Sequence, residues 1–167
     1  SSGLWSVLRS SEDEVLKGSL LITLYENLRW KTISPQGFRE EMLAYLPNEA
    51  NSLLFSMALS YLGDCQRIFP SDSRPLEQVL WKIVTTNPVS QHRLQAFRLY
   101  RSIADSEEAV QRLYTLWQER KAPKDCTLSE SDYIGLSYML AMHLPEKADK
   151  IIATQLSRIQ NPDRKKE

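Results

Sequence analysis

Apolar side chains recur every three or four residues along most of this chain, a spacing that places them on one face of a helix. No stretch keeps the alternation of apolar and polar residues that predicts a half-buried strand. No Asn-Gly or Asp-Gly pair suggests a tight β-hairpin. The pattern therefore predicts an all-α protein.

The first predicted helix starts from a capping-box spacing, Ser11 with Glu14, in which each side chain would bond a backbone N–H of the other residue. This helix runs to about residue 28. Its apolar positions are Val15, Leu16, Leu20, Ile22, Leu24, Tyr25 and Leu28.

Seven further helix starts follow. Ser34 and Pro35 occupy the N-cap and first helical positions of the second helix, and Ser106 with two glutamates opens the sixth. Either Ser129 or Ser131 caps the seventh helix. The others are predicted to begin near residues 50, 75, 89 and 145, and prolines lie at or next to several of the boundaries.

Alternate predicted helices begin near residues 12, 50, 89 and 130, which is close to the period of HEAT and armadillo repeats. We therefore expect one helical-repeat domain over residues 1–167, built as an irregular HEAT/armadillo-like array of about eight helices. In such an α-α superhelix, antiparallel hairpins stack because no hairpin covers its own apolar face. The closing Asn161, Pro162 and Asp163 resemble a helix start, so we expect a piece of a longer protein.

Composition excludes several classes of function. The 21 basic and 21 acidic side chains cancel, whereas proteins that bind nucleic acid need a basic surface, so we expect no nucleic-acid partner. No apolar run approaches the length that spans a bilayer, so we expect no membrane partner. Cys65 and Cys126 match no metal or redox spacing and are interpreted as reduced structural thiols.

Catalytic motifs are missing from the sequence. His92 and His143 belong to no H-E-x-x-H motif, and His143 is interpreted as a helix-terminal histidine near the negative end of the helix dipole. No G-x-S-x-G motif and no glycine-rich phosphate loop is present. The four tryptophans, at positions 5, 30, 81 and 117, are expected in the core. The chain is therefore expected to have no catalytic residue and no metal ligand.

Five cations remain as candidates for binding. Arg29 and Lys31 lie near the first turn, and Arg93, Arg98 and Arg101 lie on the fifth predicted helix, where Arg98 points away from the apolar stripe. Arginine suits carboxylate recognition because its guanidinium donates two parallel hydrogen bonds. The alternative is that these are ordinary solvent-exposed helix residues.

Three stretches resemble a known family. The segments "LLITLYENLRWKTISPQGFREEMLAYLPNE", "LQAFRLYRSIADSEEAVQRLYTLWQERK" and "LSESDYIGLSYMLAMHLPEKADKIIATQLSRIQNPDRKKE" are similar to the C-terminal helical domain of zinc aminopeptidases of the aminopeptidase N family. The similarity lies in the order of helix ends and apolar stripes over most of the chain.

The resemblance implies a non-catalytic domain. In that family zinc is held by H-E-x-x-H and a distant Glu of a separate catalytic domain, and none of these residues is in this chain. The helical domain closes over the active site and limits access to peptides with a free N-terminus. The expected partners are the parent's own catalytic domain and the peptide substrate, with Arg29, Lys31, Arg98 and Arg101 as candidate substrate contacts. The alternative is an independent HEAT-like scaffold that binds another protein.

Overall fold

The computed structural model describes residues 2–161 and 163. Within these residues there are nine α-helices and no β-strand, which confirms the all-α prediction. The helices are α1 (Ser2–Ser10), α2 (Glu14–Arg29), α3 (Pro35–Tyr45), α4 (Ser52–Ile68), α5 (Arg74–Thr86), α6 (Ser90–Ile103), α7 (Glu107–Glu119), α8 (Glu130–His143) and α9 (Ala148–Arg158). One-turn 3-10 helices occupy Leu46–Asn48 and Pro145–Lys147. None of the helices described is long and apolar enough to cross a membrane.

Helices α2–α9 correspond to the eight predicted helices. Four of them, α2, α4, α6 and α8, begin at residues 14, 52, 90 and 130, close to the predicted spacing. Helix α1 is additional, because nine residues hold too few apolar positions to display a helical period. Pro162 of the predicted closing helix start, and residues 164–167 after it, lie outside the described residues.

Three serine caps were correctly placed by local sequence rules. Ser34, Ser106 and Ser129 each accept the backbone N–H three residues later, at 3.0, 3.2 and 3.1 Å. These bonds satisfy N–H groups that the first helical turn leaves without an internal partner. Ser129, not Ser131, caps α8, and it does so in a capping box with Asp132.

The predicted capping box at Ser11 and Glu14 is wrong. Asp13 caps α2 instead, since its carboxylate accepts the backbone N–H groups of Val15 and Leu16 at 2.9 and 3.0 Å. Val15 and Leu16 are 79% and 41% exposed, and Ile22 is exposed as well, so none of these three belongs to the core. The buried face of α2 consists of Leu20, Leu21, Leu24 and Leu28.

Helices α2, α4, α6 and α8 form a continuous row in which each contacts the next. Helix α3 packs on α2 and α4, α5 on α6, and both α7 and α9 on α8. Helices α5 and α6 are separated by only three residues and lie side by side, so they form an antiparallel hairpin. The described residues therefore form an all-α array, and its assignment to the HEAT or armadillo type stays a prediction.

The centre of the core lies between α4 and α6. Phe55 and Leu62 of α4, and Phe97 and Tyr100 of α6, have no exposed surface. The tryptophan prediction is confirmed for Trp5 and Trp117, which are buried, and Trp81 is partly buried. It is wrong for Trp30, which is 78% exposed at the end of α2.

Glycines inside helices of the row let neighbouring helices approach closely. A Cβ atom on Gly135 of α8 would lie 2.9 Å from Nη1 of Arg101 on α6, and one on Gly63 of α4 would lie 3.0 Å from Cδ1 of Leu99. A Cβ atom on Gly18 of α2 would make an ordinary van der Waals contact with α4 at 3.7 Å. Of these three glycines, only Gly18 has room for a methyl group without movement of a neighbour.

Replacing Gly18 and Gly135 by alanine tests this difference. We expect Gly18→Ala to raise the free energy of unfolding by up to about 1 kcal/mol, because alanine is the better residue inside a helix. Gly135→Ala brings the same helical gain but displaces Arg101 from the carbonyl oxygen of Asp132, to which it donates at 3.1 Å. We expect it to be less stable than Gly18→Ala by about 1–2 kcal/mol. Urea unfolding followed by circular dichroism measures both, and equal stabilisation by the two changes would contradict the close contact at Gly135.

Candidate functional site

Arg29 and Lys31 lie at the turn between α2 and α3. Arg29 is the last residue of α2, its side chain is 59% exposed, and its guanidinium lies 3.4 Å from a carboxylate oxygen of Glu26. Lys31 is exposed and has a left-handed backbone with φ of 59°. The exposed Trp30 lies between them in sequence. This turn therefore presents two cations and an indole ring to solvent.

Arg98 and Arg101 meet on a different surface, where α6 contacts α8. Arg98 donates to both carboxylate oxygens of Asp132 at 3.1 and 3.3 Å, and its side chain is 50% exposed. Arg101 is 23% exposed and donates to the Asp132 backbone carbonyl. Burial raises the pKa of Asp132, but hydrogen bonds from Arg98 and Ser129 outweigh it and hold this pKa below its ordinary value. Both arginines thus join α6 to α8, and their contact with a substrate stays a prediction.

The fifth cation, Arg93, is also held within the fold. Its guanidinium donates to the backbone carbonyl of Lys124 at 3.1 Å and to the carboxylate of Asp125 at 3.2 Å. It also donates to the backbone carbonyl of Asn87. Arg93 therefore connects the start of α6 to the loop between α7 and α8.

Within residues 2–161 and 163, no group of three or more His, Cys, Asp or Glu side chains is placed to hold a metal ion. His143 is the last residue of α8 and its Nδ1 lies 3.0 Å from the carbonyl oxygen of Met139, as expected for a helix-terminal histidine. Cys65 and Cys126 are both free thiols, and burial raises the pKa of each above its ordinary value.

His92 is the one histidine that bonds a hydroxyl group among the described residues. Its Nε2 lies 2.9 Å from Oγ of Ser52, and its ring stacks on Phe55 with centroids 4.0 Å apart. The ring is fully buried, and its Nδ1 has no hydrogen-bond partner in the described part of the chain. A catalytic base is oriented by a third group at that nitrogen, so the pair is interpreted as a contact between α4 and α6.

A groove lies between α5 and α7. Its two ends have volumes of about 520 and 480 Å³, and both ends are lined by Trp81 and Arg112. The first end is bounded by the start of α5 and the start of α7, including Glu77 and Ser106. The second end is bounded by Thr85 of α5, later residues of α7, and the loop at residues 121–124. We call this feature the α5–α7 groove.

Arg112 forms the middle of the α5–α7 groove. Its guanidinium carbon lies 4.7 Å from the ring centroid of Trp81, a cation–π contact between α7 and α5. The same guanidinium donates to the hydroxyl of Tyr100 at 2.8 Å and to the carboxylate of Glu108 at 2.7 Å. With these three partners, Arg112 shapes the floor of the groove.

Glu77 anchors the first end of the groove. Its buried carboxylate accepts the backbone N–H groups of Asp105 and Ser106 at 2.8 and 3.0 Å. It also accepts the hydroxyl groups of Ser73, at 2.8 Å, and Ser106. Burial raises the pKa of Glu77, but the bonds from Ser106, Asp105 and Ser73 outweigh it and leave this pKa below its ordinary value. Glu77 therefore fixes the segment between α6 and α7 against α5.

Sequence reasoning did not find the α5–α7 groove. Trp81 was expected in the core, and no local pattern shows that it meets Arg112, which lies on another hairpin. The only available signal is that Trp81 lies next to the buried stripe of α5, where Leu80, Ile83 and Val84 are buried and Trp81 is partly exposed. The groove depends on the relative position of two helices, which helical periodicity does not encode.

The chain matches no known protein-family model, no curated protein and no solved structure.

Removing the charge of Glu77 tests its role as an anchor. Gln has one acceptor oxygen, and its amide would face N–H and hydroxyl donors, so we expect Glu77→Gln to lower the free energy of unfolding by about 1.5–3 kcal/mol. The matched control is Glu107→Gln in the exposed first turn of α7, where we expect a change below about 1 kcal/mol. Urea unfolding at pH 7.5 measures both. Similar losses in the two variants would contradict the anchoring role. They would show that Glu77 contributes no more than an ordinary carboxylate in the first turn of a helix.

His92 predicts a loss of stability in mild acid. Burial lowers the pKa of His92 below its ordinary value of 6.5, and the nearby Glu49 opposes this shift only in part. The unfolded chain therefore binds a proton that the folded chain resists, so stability is fully present above pH 6.5 and falls as the pH decreases towards the folded pKa. The expected slope from this residue is at most about 1.4 kcal/mol per pH unit.

His92→Gln removes the imidazole that binds this proton. It should therefore flatten the dependence of the free energy of unfolding on pH between 7.5 and 5.5. His143→Gln leaves His92 in place and serves as the matched control, for which the slope should persist. Chemical unfolding at four or five pH values gives both slopes. An unchanged slope in His92→Gln would contradict the assignment.

Proposed function

We propose that the chain is the non-catalytic C-terminal domain of a zinc aminopeptidase of the aminopeptidase N family. Such an enzyme removes N-terminal residues from peptides, and this domain would close over its active-site chamber and limit access. The observation that carries the proposal is the α2–α3 hairpin, whose "LYENLRWKTISPQGF" order of helix end, polar turn and Ser34-Pro35 start resembles that family. The all-helical architecture and the 38- to 40-residue spacing of the row agree with it.

In this proposal the zinc belongs to the parent's catalytic domain. The H-E-x-x-H motif and the distant Glu that would hold it are not in this sequence. The residues of this chain would form chamber walls and bind the distal part of a peptide. Arg29 and Lys31 suit such contacts because they are exposed. The guanidinium of Arg98 already forms an ion pair with Asp132, so a substrate would have to share it with that carboxylate.

A second candidate is an independent helical scaffold that binds another protein. The observation in its favour is the α5–α7 groove, which is lined by a tryptophan and needs no catalytic domain to form. The two candidates differ in their parent reading frame. An aminopeptidase requires H-E-x-x-H and a distant Glu several hundred residues upstream, whereas a scaffold requires only further helical repeats.

Kinetics of the full-length enzyme test the proposed substrate contacts. We expect Arg29→Gln with Lys31→Gln to raise KM about threefold for a peptide of six residues, because each exposed charge contributes less than about 1 kcal/mol. A dipeptide does not reach the distal wall, so its KM should not change. The control is Lys150→Gln, an exposed residue of α9. Equal effects on both substrates would argue against distal contacts, and a full-length protein without zinc-dependent peptidase activity would overturn the aminopeptidase proposal itself.

A further inference from the structure

The second end of the α5–α7 groove has an apolar floor and a basic rim. Trp81 of α5 and Leu116 of α7 line it together with Ala122 and Pro123 of the following loop. The volume of about 480 Å³ is large enough for a bulky side chain with its neighbouring backbone. We call this part, which includes Lys121 and Lys124, the lysine-rimmed end.

The loop that carries the lysines is held in place by its backbone. The N–H of Lys121 donates to the carbonyl of Leu116 at 3.2 Å, and the carbonyl of Lys124 accepts from Arg93 at 3.1 Å. The N–H of Cys126 donates to the carbonyl of Pro123 at 3.0 Å. The rim is therefore preorganised, which reduces the entropy lost when a ligand binds.

The charges of the lysine-rimmed end are mostly uncompensated. Lys121 and Lys124 are exposed, and neither forms an ion pair with any of the residues that the structure describes. Among the described residues Glu119 is the one carboxylate that lines this end, and Arg112 is already bonded to Glu108 and Tyr100. An occupant with negative charge beside an apolar group therefore complements this surface best.

We propose that the lysine-rimmed end docks a peptide segment of a partner protein in which one large apolar side chain is flanked by aspartate or glutamate residues. The apolar side chain fills the space between Trp81 and Leu116, and the flanking carboxylates lie against Lys121 and Lys124. The site lies on α5, α7 and the loop at residues 121–124, and none of the candidate substrate contacts lines it, so it does not depend on the aminopeptidase proposal.

Two other occupants fit less well. A nucleic acid would need many phosphate contacts, whereas the chain is neutral overall and this rim carries two lysines. A second copy of the chain would have to present an exposed apolar residue with acidic residues on both sides, and the exposed Val15 and Leu16 follow Asp13 and Glu14 but precede Lys17. Both occupants are outcomes that the experiment separates.

The test measures binding of short labelled peptides to the purified 167-residue chain by fluorescence anisotropy. The probe is fluorescein-labelled Gly-Asp-Glu-Phe-Glu-Asp-Gly, and its two controls replace phenylalanine by serine or all four acidic residues by lysine. The first variant is Lys121→Glu with Lys124→Glu, and Thr115→Trp fills the groove. Lys150→Glu, an exposed charge reversal on α9, is the matched control. Circular dichroism checks that each variant is folded.

We expect saturable binding of the acidic phenylalanine peptide and at least about tenfold weaker binding of both control peptides. The double lysine variant and Thr115→Trp should each lose at least about tenfold, and Lys150→Glu should bind as the unchanged chain does. The proposal is overturned if the acidic peptide does not bind at 1 mM or if the lysine peptide binds equally well. It is also overturned if a single-stranded oligonucleotide competes for the site, or if sedimentation shows a dimer that Thr115→Trp dissociates.

Discussion

Helix α6 is the element on which the rest of the array depends. It lies in the row between α4 and α8 and also contacts α5, so three helices pack against it. Ala96, Phe97 and Tyr100 are completely buried along it. Full burial of a large apolar side chain contributes about 1.5–3 kcal/mol, and α6 obtains this only while its neighbours stay in place. The stability of α6 is therefore shared with α4, α5 and α8, which pack against it.

Buried polar groups determine how these helices are aligned. Glu77, Glu49 and Asp132 each accept a backbone N–H and also bond a group 28 to 34 residues away in the sequence. Apolar surfaces tolerate some sliding, whereas a buried carboxylate that loses its donors carries a large desolvation penalty. The same argument applies to His92, whose Nε2 bonds α4 from α6. These contacts select one register among several that apolar packing alone would allow.

The parts of the fold that the sequence predicts correctly are those that depend on residues close together in the chain. The caps at Ser34, Ser106 and Ser129 depend only on residues within one turn, and periodicity locates α2–α9 because apolar stripes are long enough there. Asp13, not Ser11, caps α2 because these two residues, two positions apart, both carry an oxygen that can accept a backbone N–H. The exposure of Trp30 and the position of Trp81 in a groove depend on which helices meet, so no local rule predicts them. The sequence identified the cationic residues, but it did not identify the groups that they bond.

The candidate cations named from the sequence and the α5–α7 groove lie on different surfaces. The difference between arginine and lysine side chains explains this. Arginine donates in several directions and is favoured in internal bonds, and here Arg98, Arg101 and Arg112 join α6 to α8 or α7 to α5. Lysines at the α7–α8 loop remain in solvent beside an apolar floor. A carboxylate-bearing peptide would therefore compete with Asp132 at one surface, whereas at the groove it meets Lys121 and Lys124, which form no ion pair with a described residue. Because these surfaces lie on different helix pairs, binding at the groove is compatible with either parent protein.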